Sequence, residues 1–520
     1  MGPSLRSQFH SSCGLLARLL RSPVLPLRCR RWGVSAVARA RLQGTMESVP
    51  LRGSVLLRSL GRSLGVLIAV AVGTTLAPSD GEAVPGFARQ TGLSCQACHT
   101  IFPELTPFGR QFKLNAYVFT NIKQVQAISE QSQRTLALTE FPPFSVQLQA
   151  SNTTLGKSLP DTGAVADLSQ KNETEFPQAI SLFYTGKISD NLGAFLQLTW
   201  NPSPNAVGID NSDLRFADHG GFDWLGMTDF IYGITLNNNP TSQDVWNSTP
   251  AWGYPFLGSN VAVPPVAKVL LDGQLAQESV GLGGYLYLFN HLYAEVSGYR
   301  SAQTTFTNGT TGGPGPLDSA APLRRISNEA APYWRVAWEQ DWGSHALSFG
   351  TYGIWAATHP TGIGESGPRE TITDVALDTQ YQYIGDDHLF SLAGTWIHED
   401  RKFNNLAEVV HTHNLLDTGR ITGSYFYKRK IGGSVQYFST TGSQDPILYL
   451  AGTPVLGSRT GTPDNKGVVL ELDFLPWLNT KLGVQYTLYT EFAGNSHNYD
   501  GFGRHASDNN TLFVFVWTAF

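Results

Sequence analysis

From Phe144 onward the chain is a series of short runs in which apolar and polar residues alternate, broken by clusters of Gly, Asn, Asp and Pro. Over 192–200, Leu192, Ala194, Leu196, Leu198 and Trp200 fall on one face of an extended strand, with Gly193, Gln197 and Thr199 on the other. Over 482–491, Leu482, Val484, Tyr486 and Leu488 oppose Gly483, Gln485, Thr487 and Glu491. Over 431–438, Ile431, Val435 and Tyr437 oppose Gly432, Ser434 and Gln436. Successive side chains of a strand point to opposite faces, so a period of two predicts strands covered by apolar surroundings on one side only. Period alone does not separate a soluble sandwich from a membrane barrel.

The connections separate them. Short breaks near 189–191, 289–290, 342–344, 385–387, 429–430 and 476–479 alternate with long polar stretches near 152–178, 201–225, 301–330, 357–371, 400–416, 441–465 and 492–510. Short turns on one end and long loops on the other predict an all-β fold, an antiparallel outer-membrane barrel. The last strand, 511–520, is aromatic and stops at Phe520. Such barrels hold an even number of strands. Fifteen strands are evident, and Val266–Asp272 is the candidate that brings the number to about 16, rising between a descending 226–236 and a descending 278–288. A barrel of that size encloses a lumen wide enough for water or a plug. The stretch 237–265, rich in Asn, Trp and Pro, then becomes a periplasmic excursion, expected either to fold into the mouth or to form an ordinary long turn.

The first 83 residues read as a leader, apart from the fold. Residues 1–45 hold eight Arg and no Lys, Asp or Glu, which fits an overextended start or a transit peptide. Residues 46–83 run from Arg52, Arg58 and Arg62 through an apolar stretch to small residues, the order of a secretory signal peptide. The leader carries 11 of the 36 basic and 3 of the 41 acidic residues, so the remainder holds 25 and 38, a net charge near −13. That sign argues against nucleic acid as a partner and favours cations. A charged fraction of 15%, with 53 Gly, 12 Trp, 19 Tyr and 28 Phe, excludes a coiled coil, a disordered acidic protein and a helical transporter.

Of the four cysteines, Cys13 and Cys29 belong to the leader, leaving Cys95 and Cys98. Cys95-Gln-Ala-Cys98-His99 has the spacing of a c-type haem attachment site: two thiols for covalent attachment, and His99 for the proximal face of the iron. A redox dithiol does not need the histidine, and a zinc tetrahedron lacks its second cysteine pair. A haem segment of 84–140, small and mostly helical, contributes Phe87, Phe102, Phe108, Phe112, Tyr117 and Phe119 but no second His or Met. The sixth ligand therefore comes from the 141–520 barrel, is unusual, or is absent; the candidates are Met227, His291, His345 and His388. Arg89, Arg110 and Lys113 are placed to meet haem propionates or to be solvated. Asp210, Asp213, Asp218 and Asp223, with His411 and His413, are either metal-gathering groups of outer loops or plain solvated residues.

Pro85–Gly92 (PGFARQTG), Cys95–His99 (CQACH), Phe102–Arg110 (FPELTPFGR) and Phe112–Asn115 (FKLN) resemble the haem region of the fused monohaem cytochrome–porins of iron-oxidising bacteria. The resemblance is dense over about 85–117 and rests on architecture alone across the barrel. It implies an outer-membrane barrel with one covalent haem c in or over its lumen, and electrons drawn from extracellular Fe(II) to a periplasmic acceptor protein. The activity implied is that of an iron oxidase or, more broadly, an electron conduit. Two other readings stay open: a haem peroxidase or gas sensor with a vacant sixth position, and a soluble periplasmic cytochrome with a β-sandwich partner.

Overall fold

The computed structural model describes residues 85–119, 124–126, 137–139, 143–160, 171–201, 206–222, 227–249, 253, 256–302, 324–326, 330–360, 369–404 and 409–520. The leader expected over 1–83 lies outside these, as does Asp223. Among the described residues three helices come first: α1 (Pro85–Thr91), α2 (Cys95–Cys98) and α3 (Pro107–Leu114). The third starts where Thr106 accepts a hydrogen bond from the Gly109 N–H, with Pro107 in the first turn, where its missing donor costs nothing.

A closed antiparallel barrel follows, running from Phe144–Leu155 to Thr511–Ala519; the last strand pairs with the first, Phe515 opposite Ser151. Among the described residues the ring contains eighteen segments. Ala206–Ile209 and Asp213–Phe222 lie end to end against Leu192–Asn201, and Arg324–Ile326 and Ala331–Trp342 likewise against His345–Pro360. Each pair is one interrupted strand, so the barrel has sixteen. Closure gives every strand a partner on both sides, which is what allows a sheet to stand in hydrocarbon.

The alternation divides as anticipated. Outward positions include Leu472 (72% exposed), Val296 (69%) and Leu282 (61%), while their neighbours Asp473, Glu295 and Gly283 face the lumen. Rings cluster near the short-turn end on the outside: Trp342 stacks on His345 at 5.6 Å, Trp338 on Phe349 at 6.2 Å, and His388 meets Tyr427 at 5.4 Å. An apolar band bounded by aromatic side chains places the protein in a bacterial outer membrane and sets aside the sandwich.

Two strand assignments change. The stretch 201–225 contains the strand Ala206–Ile209 and Asp213–Phe222, interrupted at 210–212. Its Asp213 and Arg215 look like loop residues, yet they point into the lumen, where they pair at 2.6 Å. Conversely, Val266–Asp272 is not a strand. Val269, Leu270 and Leu271 are buried inside the barrel, and the N–H groups of Leu270 and Leu271 donate to Glu399 and Asp374 at 2.7 and 2.8 Å. The two errors cancel in the count and reverse one direction: Met227–Asn237 rises, and 238–278 leaves from the long-loop end, not the periplasmic end. That segment does fold inward, beginning with α4 (Pro240–Gln243).

Val296→Arg, at the middle of the outward face of Leu292–Ser301, should lower barrel stability in lipid vesicles by about 2–4 kcal/mol, read from the urea midpoint. An unchanged midpoint would contradict a lipid-facing position.

Candidate functional site

The helical segment sits in the short-turn mouth of the barrel. Phe102 packs on Trp517 with ring centres 4.7 Å apart, and Ile101 joins Leu389 and Phe426 in one apolar cluster. Glu104, with no exposed surface, accepts hydrogen bonds from Ser391 Oγ at 2.6 Å and from Gln382 Nε2. Arg429, from a short turn, donates to the carbonyls of Gln96 and His99 at 3.2 and 3.4 Å. A short segment with too little apolar surface to fold alone thus takes its core from the barrel wall.

Cys95, Cys98 and His99 line one cavity of about 530 Å³. No disulfide joins Cys95 and Cys98. The His99 Nδ1 lies 3.2 Å from the Glu104 carbonyl oxygen and 3.3 Å from that of Pro103. Carbonyls only accept, so Nδ1 carries the proton and Nε2 keeps its lone pair, the tautomer an iron ligand needs. Burial pulls the imidazole down to about 4, which holds it neutral. Burial, then the neighbouring Cys95, pushes the Cys98 thiol up to about 11, the opposite of a redox-active dithiol. Among the described residues no cluster of three or more His, Cys, Asp or Glu could hold a metal ion.

Phe87, Phe102, Leu105, Phe112 and Trp517 give the cavity apolar walls beside the motif, while Gln147, Gln149, Gln178 and Gln197 of the first three barrel strands form an uncharged polar wall. The inward segment closes another side through Phe256, Leu257 and Gly258. The volume is that of a cofactor site. Two thiols, a correctly tautomerised histidine and an apolar slot meet there, and these residues fit a covalently held haem.

The other candidates are placed as follows. Arg110 Nε lies 2.6 Å from Glu339 Oε2, and its Nη1 donates to the Leu105 carbonyl at 2.6 Å. Lys113 lines the cavity and donates to the Ser242 carbonyl at 2.5 Å. Arg89 donates to the Phe144 carbonyl at 2.6 Å and does not line the cavity. His291 bonds the Glu339 backbone carbonyl at 2.9 Å, while His345 and His388 meet the Tyr381 and Tyr425 hydroxyls at 2.7 Å on the outer face; none of the three lines the cavity. Met227 begins the strand Met227–Asn237 at the short-turn end, and its side chain lies outside the described residues. Asp213 and Asp218 belong to a strand rather than an outer loop, and Asp210 lines the cavity. His413 pairs with Asp400 and is not joined to His411 at a common centre.

Sequence reasoning missed the lumenal carboxylate Glu339. Its Oε2 forms an ion pair with Arg110 Nε of α3 at 2.6 Å and accepts from Trp246 Nε1 of the inward segment at 2.9 Å. The signal was its phase: Tyr333, Arg335, Ala337 and Glu339 alternate with Trp334, Val336 and Trp338. Glu339→Ala leaves a buried guanidinium without its carboxylate, worth about 3–5 kcal/mol. Hydrogen exchange should accelerate in Pro107–Leu114 and around Trp246 while the barrel strands stay protected. Unchanged exchange in both inserts would remove the bridging role, and Glu339→Gln should have a smaller effect.

The chain matches no family model and no curated protein. It is similar to solved structures of low identity. One is OmpF of Salmonella typhi in complex with daunomycin, at 11% identity and TM-score 0.41, covering 72% of this chain and 97% of that one. A second is the outer membrane channel DcaP of Acinetobacter baumannii, at 11% identity and TM-score 0.40, covering 76% and 100%. A third is a loop-deletion mutant of OmpT, an outer membrane protein of Vibrio cholerae, at 10% identity and TM-score 0.39, covering 72% and 98%.

Proposed function

We propose that this protein carries electrons across the outer membrane through one covalently attached haem c, from an extracellular donor, most readily Fe(II), to a soluble periplasmic acceptor protein. The observation that supports the reading best is the meeting of Cys95, Cys98 and the Nδ1-protonated His99 on one cavity inside a lipid-spanning tube. The apolar band of such barrels is about 25 Å tall and insulating. A redox centre inside the tube shortens that gap, and the lumen wall keeps it from lipid. The haem, when bound, supplies one-electron exchange at its iron.

This chain's own residues do the rest. The carbonyls of Pro103 and Glu104 hold the His99 ring in orientation through Nδ1. Phe102, wedged between His99 and Trp517, keeps water from that side of the ring. Glu104 and Arg110 fix the segment to the wall, so the site does not swing when charge is exchanged. A net charge near −13 beyond the leader favours a cationic donor over an anionic one.

A haem peroxidase or gas-binding protein is the second reading. It is favoured by one observation: His291, His345 and His388 are bonded away from the cavity, which leaves no histidine of the candidate set beside His99. Carbon monoxide separates the two, since a filled sixth position resists it.

Protein expressed with c-type haem maturation should carry covalent haem by the pyridine haemochrome assay, and Cys95→Ser or Cys98→Ser should lose the covalent product. In stopped-flow mixing with Fe²⁺ the haem bands should reduce. His345→Ala and His388→Ala should leave the spectrum unchanged. Wild-type protein without covalent haem would sink the reading; haem reducible by dithionite but never by Fe²⁺ would remove iron as the donor.

A further inference from the structure

We propose that electrons leave the protein beside the short turn Lys428–Lys430, and that the acceptor is a soluble redox protein that presents an acidic face to this turn. The inference rests on the haem reading above and adds the exit point and the charge of the partner.

The turn joins His413–Tyr427 to Ile431–Gly442 and touches the attachment motif. Arg429 Nη1 donates to Gln96 O at 3.2 Å and to His99 O at 3.4 Å, which puts a guanidinium one peptide from the proximal ligand. Lys428 and Lys430, on either side, are exposed. Between turn and motif lies a second small cavity of about 50 Å³, lined by Cys95, Gln96, His99, Arg429 and Leu475. The motif is thus separated from the short-turn surface by one side chain and a small gap. Redox partners exchange electrons where the centre comes nearest the surface, and this is such a place.

The backbone of the turn points the same way. Lys428 and Arg429 adopt φ of 50° and 55°, the left-handed region that favours Gly and Asn. Long cationic side chains are held there at a conformational cost.

The charge stands against its surroundings. The chain beyond the leader has a net charge near −13. The short-turn end elsewhere carries exposed acids: Asp190, paired with the buried Lys187 at 2.7 Å, Asp341 near the end of Ala331–Trp342, and Asp386 with Asp387 in the adjoining turn, whose Asp387 carbonyl accepts from the Lys428 N–H at 2.6 Å. An acidic partner is repelled by those acids and attracted by Lys428, Arg429 and Lys430. Opposed charges of this kind steer encounter and fix orientation more than they add affinity. A basic partner is drawn instead to Asp190 and Asp341, away from the motif contact.

The test uses the full-length, haem-loaded protein in detergent, reduced and then mixed with one of two inorganic oxidants of opposite charge, ferricyanide or hexaammineruthenium(III). At low salt, Lys428→Glu/Lys430→Glu should slow oxidation by ferricyanide roughly tenfold, speed oxidation by the ruthenium cation, and leave both rates near wild type at high salt. The haem spectrum reports folding and loading of the variant, and Asp190→Lys/Asp341→Lys serves as the control that should change neither rate by a comparable factor. Equal rates in wild type and the double lysine variant, or a larger response in the aspartate control, would overturn the exit site. Protein that never carries haem fails the underlying reading instead, and the absent Soret band shows which has failed.

Discussion

Glu339 is where two chain segments entering the barrel from opposite ends meet. Arg110 arrives on α3 from the short-turn mouth, and Trp246 arrives on the inward segment from the long-loop end; the first forms an ion pair with the carboxylate oxygen to which the second donates. Neither charge could be buried alone, because an unpaired ion in a low-dielectric interior costs several kcal/mol. Lys113 adds a second tie from α3 to the inward segment, through the Ser242 carbonyl. The cavity beside Cys95 and His99 exists because these contacts hold both inserts at fixed heights against the wall.

The lumen pairs its charges to suit this arrangement. Arg335 sits between Asp378 at 2.9 Å and Asp244 of the inward segment at 3.6 Å, and its guanidinium lies over the Trp246 ring at 4.7 Å. Glu399 and Asp374 accept backbone N–H groups from Leu270 and Leu271, and Arg420 meets Asp272 at 2.7 Å. A loop that in water would be solvated finds its hydrogen bonds in carboxylates projecting from the strands. One side of the cavity differs: Gln147, Gln149, Gln178 and Gln197 make it polar and uncharged, while Lys113, Asp210, Asp244 and Lys481 bring charge to the rest of the lining.

The alternation of side chains determined most of what can be read locally. It set which faces of Leu192–Asn201, Ile431–Gly442 and Thr480–Glu491 meet lipid, and the six short turns it marked are turns in the structure. The spacing of Cys95, Cys98 and His99 was equally plain, since attachment chemistry acts over one helical turn and needs no distant partner. Strand direction was not legible between 201 and 278. There a charged strand resembled a loop and a buried apolar loop resembled a strand, because hydropathy reports the neighbours of a residue only when one side of the sheet is water or lipid.

What only the tertiary structure decided is which residues meet. The lumenal partners of Arg110 and Lys113 and the bridging role of Glu339 depend on contacts between positions 93 or more residues apart, and on which end of the barrel a loop leaves. A two-residue period carries the phase of a side chain but not its height in the lumen. Phase is a local property of extended backbone, and height is set by the register of sixteen paired strands closing on themselves.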